Sequence, residues 1–197
     1  MGVQFFVDSE CWRTVRILDP FGKEIYQSTA RGRLLEQGGG KELFVESVEP
    51  ELVELPLEAF FAIFPAGTYT FVGRSPDGER LVSTAEFTHD IPAGPEIVMP
   101  AGAGGEECAE NVPIPAVIAW NDVSTTIDGE PIDIVRYQVI VEHEDLEISV
   151  VLDADGGTSV TVPSEFLTAG TDYIFEVLAS EEGGNQTISE GCFATSD

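Results

Sequence analysis

The sequence predicts an all-β chain made of two tandem antiparallel β-sandwiches, with one short helix in the first. Three observations carry this expectation. Residues 166–177 turn through Ala169-Gly170-Thr171, and then Tyr173, Phe175 and Val177 alternate with Asp172, Ile174 and Glu176 at period two. Residues 64–72 repeat the design, with Ala66-Gly67-Thr68 followed by Tyr69, Phe71 and their polar neighbours. Between them the Pro/Gly/Ala-rich run from Pro100 to Gly105 changes both composition and charge balance. The expected domains are therefore residues 1–100 and 106–197, divided near 100–106.

A chain of 197 residues gives each half its own core at an ordinary domain size. Hydrophobic residues make up 43%, which sets the chain apart from disordered acidic proteins. The most apolar segment, Ala59 to Phe64, lies far below the roughly 18 residues that suggest a transmembrane helix. The reading is a soluble chain.

In the first half, Phe5 to Val7 is a short strand ending at Asp8, and Trp12 to Leu18 alternates until the turn cluster Asp19-Pro20-Phe21-Gly22. Glu24 to Gln27 is its hairpin partner, and Glu42 to Glu46 follows a three-glycine loop. Leu57, Phe60, Phe61 and Phe64 recur at i, i+3, i+4 and i+7 behind Pro56, which predicts a two-turn helix plugging the end of a sandwich. After the Tyr69 strand, Asp77-Gly78 turns the chain into Leu81 to His89. In the second half, strands are expected at Val117–Trp120, Val135–Glu142, Ile148–Leu152, Thr158–Val162, Tyr173–Ala179 and Gln186–Ala194, with turn signals every 8–15 residues.

Charge is the strongest compositional signal. Thirty-six acidic residues face nine basic ones, a net of −27. Residues 1–100 carry 16 acidic and 8 basic residues, whereas 101–197 carry 20 acidic residues and only Arg136. Nucleic acid and anionic membranes require cationic patches, so both are excluded as partners. A protein partner or self-association remains, the latter between the Arg-bearing first half (Arg13, Arg16, Arg31, Arg33) and the acidic second half.

The opening Met1-Gly2-Val3-Gln4-Phe5 has neither a basic n-region nor a long apolar h-region, so no signal peptide is read there. Three cysteines are too few for a disulfide scaffold, and their spacing contains no CxxC. Cys108 and Cys192 lie near the two ends of the second half and form the candidate disulfide, with Cys11 left as a lone thiol. Against that pairing, the start of the first strand and the end of the last usually occupy opposite poles of a seven-strand sandwich.

Several residues in the second half carry a family resemblance. A strand with Trp120, a Tyr137-x-Val139-x-Val141 strand, a short Ser-Val-Thr-Val strand and Leu167-x-x-Gly170-Thr171-x-Tyr173-x-Phe175-x-Val177 occur in that order. Together they resemble a fibronectin type III domain over about residues 109–195. The resemblance implies that Trp120, Tyr137, Leu167 and Tyr173 are core positions, with Tyr173 as the tyrosine corner of such sandwiches. The first half resembles a fibronectin-III- or immunoglobulin-like sandwich only at Gly67-Thr68-Tyr69-x-Phe71, and Phe64 to Tyr69 is one residue shorter than Leu167 to Tyr173. Either the corner is shorter there or Tyr69 has another role, because a one-residue slip exchanges strand faces. The arrangement is also similar to uncharacterised secreted bacterial proteins with such modules, which implies a secreted, periplasmic or cell-surface location.

Candidate chemistry is sparse. Asp153-Ala154-Asp155-Gly156 matches the start of a calcium loop but lacks the later ligands, so Asp153 and Asp155 amount to weak calcium binding or a solvated turn. No other cofactor is expected. His89 and His143 are isolated from any GxSxG or activated cysteine, so no enzyme is expected. Asn185-Gln186-Thr187 fits a glycosylation sequon. The leading expectation is a non-catalytic structural or protein-recognition module. A calcium- or carbohydrate-binding accessory module is the alternative.

Overall fold

The computed structural model describes residues 1–105 and 107–197. The chain is all-β and divides into two compact units, Met1–His89 and Asp90–Asp197. The division falls ahead of the expected 100–106 for a local reason. The Ala93 amide bonds the Thr125 carbonyl, Pro92 bridges Thr126, and residues 97–99 form a strand of the second unit. Within the Pro100–Gly105 run, Ala103 is fully buried in the unit 2 core. Glu106, at the end of that run, lies outside the described residues.

Unit 1 contains β1 (Gln4–Trp12), β2 (Thr14–Leu18), β3 (Glu24–Thr29), α1 (Gly32–Glu36), β4 (Gly40–Glu46), α2 (Leu57–Ile63), β5 (Gly67–Arg74) and β6 (Arg80–Phe87). Its sheets are the pair β1-β4 and the four-stranded β3-β2-β5-β6, all antiparallel. The Asp19 carboxylate folds the β2–β3 turn by accepting the Phe21 and Lys23 amides at 2.9 and 2.8 Å. Trp12, Val15 and Ala30 form a small buried cluster with Val7, Leu43 and Leu81 against it. Gly40 lies opposite Trp12 in the β1–β4 register, and a Cβ at that position would enter the indole ring. Only glycine lets the ring lie flat there.

Unit 2 contains β7 (Ile97–Met99), β8 (Ala109–Val112), β9 (Val117–Trp120), β10 (Ile134–His143), β11 (Leu146–Asp153), a 3₁₀ turn (Ala154–Gly156), β12 (Ser159–Thr161), β13 (Asp172–Glu181) and β14 (Gln186–Thr195). The sheets run β12-β9-β7 and β11-β10-β13-β14-β8. Alternation decides the core. Tyr137, Val139 and Val141 from β10, Tyr173, Phe175 and Val177 from β13, and Phe193 from β14 face Ile118, Trp120 and Val160 of the other sheet, all buried in one cluster. Each such side chain contributes about 1.5–3 kcal/mol on leaving water.

The first strand of unit 2 is split between sheets. β7 pairs antiparallel with β9, and β8 then crosses to pair parallel with β14, Ala109 opposite Phe193. This crossing brings Cys108 beside Cys192, and the two form a disulfide with Cα atoms 4.7 Å apart. The argument from opposite poles fails because β8 runs alongside the last strand. The Cys192 amide also bonds the Ala103 carbonyl, which packs so tightly that a Cβ on Gly191 would collide with that oxygen and the Phe175 ring.

Both units turn into their central strand through a tyrosine hydroxyl. Tyr173 Oη accepts the Thr168 amide at 2.8 Å and donates to the Phe166 carbonyl at 3.4 Å. In unit 1, Tyr69 Oη donates to the Pro65 carbonyl at 3.1 Å. Tyr69 thus keeps the corner geometry with a shorter reach and one bond instead of two. α2 precedes this corner, with Phe60 buried and its ring 5.2 Å from that of Phe64.

Tyr173→Phe is expected to cost about 1–2 kcal/mol, because it strands the Thr168 amide as well as removing a bond. Tyr69→Phe, which orphans only a carbonyl, is expected to cost less. Urea unfolding of both variants, followed by the fluorescence of Trp12 and Trp120, measures the difference.

Candidate functional site

The residues singled out in the sequence separate into two groups. Trp120, Tyr137, Leu167 and Tyr173 are all buried in the unit 2 core. The Trp120 and Tyr137 rings lie 5.2 Å apart. Tyr137 Oη accepts the Val123 amide and donates to Asp122 Oδ1, each at 2.8 Å, so it fixes the segment that follows β9. Burial, reinforced by the Asp122 carboxylate, pushes the Tyr137 hydroxyl up to about 12 even though the Val123 amide acts to lower it. It is a structural donor and does not ionise at neutral pH.

Asp153 and Asp155 are exposed at the end of β11 and in the 3₁₀ turn. Among the described residues, no group of three or more His, Cys, Asp or Glu is placed to hold a metal ion. His89 packs its ring on Phe61, centroids 3.8 Å apart, and its Nε2–H donates to the Phe64 carbonyl at 2.8 Å. It closes the C-terminal end of α2. Neither its stacking partner nor its carbonyl partner is close to it along the chain, so this role leaves no local signal in the sequence. Glu181, the last residue of β13, accepts the Gly183 and Asn185 amides and shapes the turn into β14.

One cleft of about 700 Å³ opens beside the disulfide, lined by Glu107, Cys108, Glu110, Glu142, His143 and Tyr173 among others. His143 Nδ1–H donates to the Asp172 carbonyl at 3.0 Å, and its ring lies 5.2 Å from that of Tyr173. The cleft offers carboxylates and an imidazole but no serine or thiol nucleophile, since both sulfurs are bonded to each other. A second cleft, of about 600 Å³ in unit 1, is lined by Arg13, Arg31 and Arg74 with Thr14, Thr29 and Leu35 among others. Arg16 stands apart, paired with Glu24 at 3.4 Å. Arg33 lies in α1. Thus the four arginines grouped in the sequence do not form one patch. Arg74, more than forty residues further on, joins two of them.

The outward face of the larger unit 2 sheet concentrates like charge. Glu176 sits opposite Glu190 across the β13–β14 ladder, and burial, then Glu190, Glu142 and Glu147, raise its carboxyl above the ordinary value of 4.5. The folded state therefore holds this proton more tightly than the unfolded chain. Its contribution to stability is most favourable below about pH 4.5 and falls as pH rises through the raised value.

No protein-family model matches the chain, and no curated protein matches it. Solved structures do. A tetra-tandem repeat from the extending region of a large adhesion protein aligns over 99% of this chain and 49% of that one, with 13% identity and a TM-score of 0.36. A 1.5-MDa bacterial ice-binding adhesin, in a structure concerned with host cell surface retention, aligns over 99% and 57%, with 17% identity and a TM-score of 0.30. The FN1–FN3 domains of chicken CNTN1 align over 95% and 57%, with 12% identity and a TM-score of 0.37. The chain spans about half the length of these proteins. With TM-scores this low, the fold assignment rests on the strand order and register given above.

Glu176→Gln is expected to stabilise the protein by about 0.5 kcal/mol at pH 7, the scale of one cross-strand pair. It is also expected to flatten the loss of stability above pH 4.5. Urea midpoints at pH 4 and pH 7 measure both effects.

Proposed function

We propose that this chain is a non-catalytic structural or protein-recognition module of a secreted or cell-surface protein. The observation that carries the reading is how the reactive residue types are used. His89 is held by α2, the Tyr137 and Tyr173 hydroxyls by backbone amides, and Cys108 and Cys192 by each other. Among the described residues, neither of the two clefts is lined by a nucleophile–base pair, and no cluster of His, Cys, Asp or Glu could hold a metal ion. A disulfide that closes a loop of 84 residues suits an oxidising compartment, which supports the secreted location.

The partner is a protein rather than a second copy. Two chains of net −27 repel one another, and the Arg13–Arg31–Arg74 cleft has little charge with which to oppose that repulsion.

Three outcomes are expected. Purified protein turns over nothing on a broad hydrolase substrate panel; turnover abolished by His89→Ala would overturn the reading. Calcium up to millimolar levels leaves the melting temperature unchanged, whereas a rise removed by Asp153→Asn would instead support the accessory calcium module. Sedimentation velocity shows a monomer at both low and moderate salt.

A further inference from the structure

Unit 1 repeats the strand order of unit 2 without counterparts of β7 and β8 among the described residues. In chain order β1, β2, β3, β4, β5 and β6 take the places of β9, β10, β11, β12, β13 and β14, and they build the same two sheets. Unit 2 adds β7 on the outer edge of β9 and β8 on the outer edge of β14. No strand among the described residues pairs with the corresponding outer edges of β1 and β6.

β1 keeps a regular ladder with β4 from Gln4 to Asp8, shifts register before Trp12, and pairs with no strand on its other side among the described residues. Its inward row, Phe5, Val7, Ser9 and Cys11, is only partly buried, whereas Ile118 and Trp120 of β9 are fully covered. Ser9 Oγ is buried with no hydrogen-bond partner. The Ser47 amide bonds the Val3 carbonyl, so along the β1–β4 ladder Phe5 and Val7 turn their backbone groups to β4. The amides and carbonyls of Gln4, Phe6 and Asp8 then point to the open edge. No lysine or proline blocks that edge.

The outward row states what would fit. Phe6 is 61% exposed, directly opposite Phe44 at 56%, and Asp8 and Glu10 follow it along the strand. An aromatic face beside two carboxylates receives ammonium or guanidinium groups. The same carboxylates repel another acidic chain.

We propose that the outer edge of β1 accepts an extended segment of a partner protein, added antiparallel as β7 is on β9. The segment alternates apolar residues, which cover Phe5, Val7, Ser9 and Cys11, with Lys or Arg residues over Phe6, Asp8 and Glu10. This rests on the recognition reading above and specifies its surface.

The test uses the full chain and capped eight-residue peptides. One alternates valine and lysine, one has the same composition in two blocks, and one alternates valine and glutamate. The alternating valine–lysine peptide is expected to bind at least tenfold more tightly than either control and to slow amide exchange at Gln4, Phe6 and Asp8. D8K combined with E10K, both exposed, is expected to weaken binding at least tenfold without moving the melting temperature. Equal affinity for the block peptide, unchanged exchange along β1, or indifference to the charge reversal would overturn the proposal. So would a homodimer of the protein alone that protects the same β1 amides. None of these failures bears on catalysis, so the substrate panel still decides the non-catalytic reading separately.

Discussion

The chain must pass from the small sheet to the large one before its central strand, and a tyrosine hydroxyl holds that crossing in each unit. Tyr173 bonds two backbone groups five and seven residues upstream, and Tyr69 bonds one four residues upstream. Once the tyrosine is anchored, the period of two leaves no freedom: Phe175, Val177 and Ala179 must face inward, and Glu176 must face out. The core of unit 2 and the row of carboxylates on its back are consequences of the same register. Alternation that buries the first set cannot avoid gathering the second.

The two units show how far a sandwich depends on its first strand. In unit 2 that strand contributes to both sheets and its end is tied to the last strand by Cys108–Cys192, so the apolar rows of β9, β10 and β13 are covered along their length. In unit 1 the same rows exist, yet the buried cluster reduces to Trp12, Val15 and Ala30 with a few partly exposed neighbours. Ile17 and Tyr69 are fully buried nearby because β2 and β5 are central strands of the larger sheet. The strands differ as well: β6 buries no residue, whereas its counterpart β14 buries Gly191, Phe193 and Thr195.

Much of this was legible in the sequence because period-two alternation and turn chemistry are local. The strands at β5, β9, β10, β13 and β14 and the helix α2 were read from residues within each segment, and the structure places them within a few positions of those readings. What escaped was set by partners far along the chain. β7 and β8 are three and four residues long and sit among prolines and glycines, so no period can be counted, and they exist only because β9 and β14 offer edges. The compact units accordingly meet at His89/Asp90, ahead of the expected 100–106. α1 has five residues and no buried side chain, which leaves no apolar stripe to detect. The role of His89 depends on stacking with Phe61, and the Arg13–Arg31–Arg74 cleft depends on the β2–β5 pairing; neither spacing is visible in one dimension.

The acidity of the chain acquires a meaning from where the open edge lies. A sheet edge with unpaired backbone groups invites pairing with any extended chain, and the usual protection is a lysine or proline at the edge. β1 has neither, and carries Asp8 and Glu10 instead. In a protein of net −27 those carboxylates discourage the commonest error, a second copy pairing edge to edge, because every copy brings the same sign. They impose no such cost on a basic segment. An edge guarded by negative charge on a negative protein is closed to itself and open to a cationic partner, so the same residues can serve solubility and selectivity together.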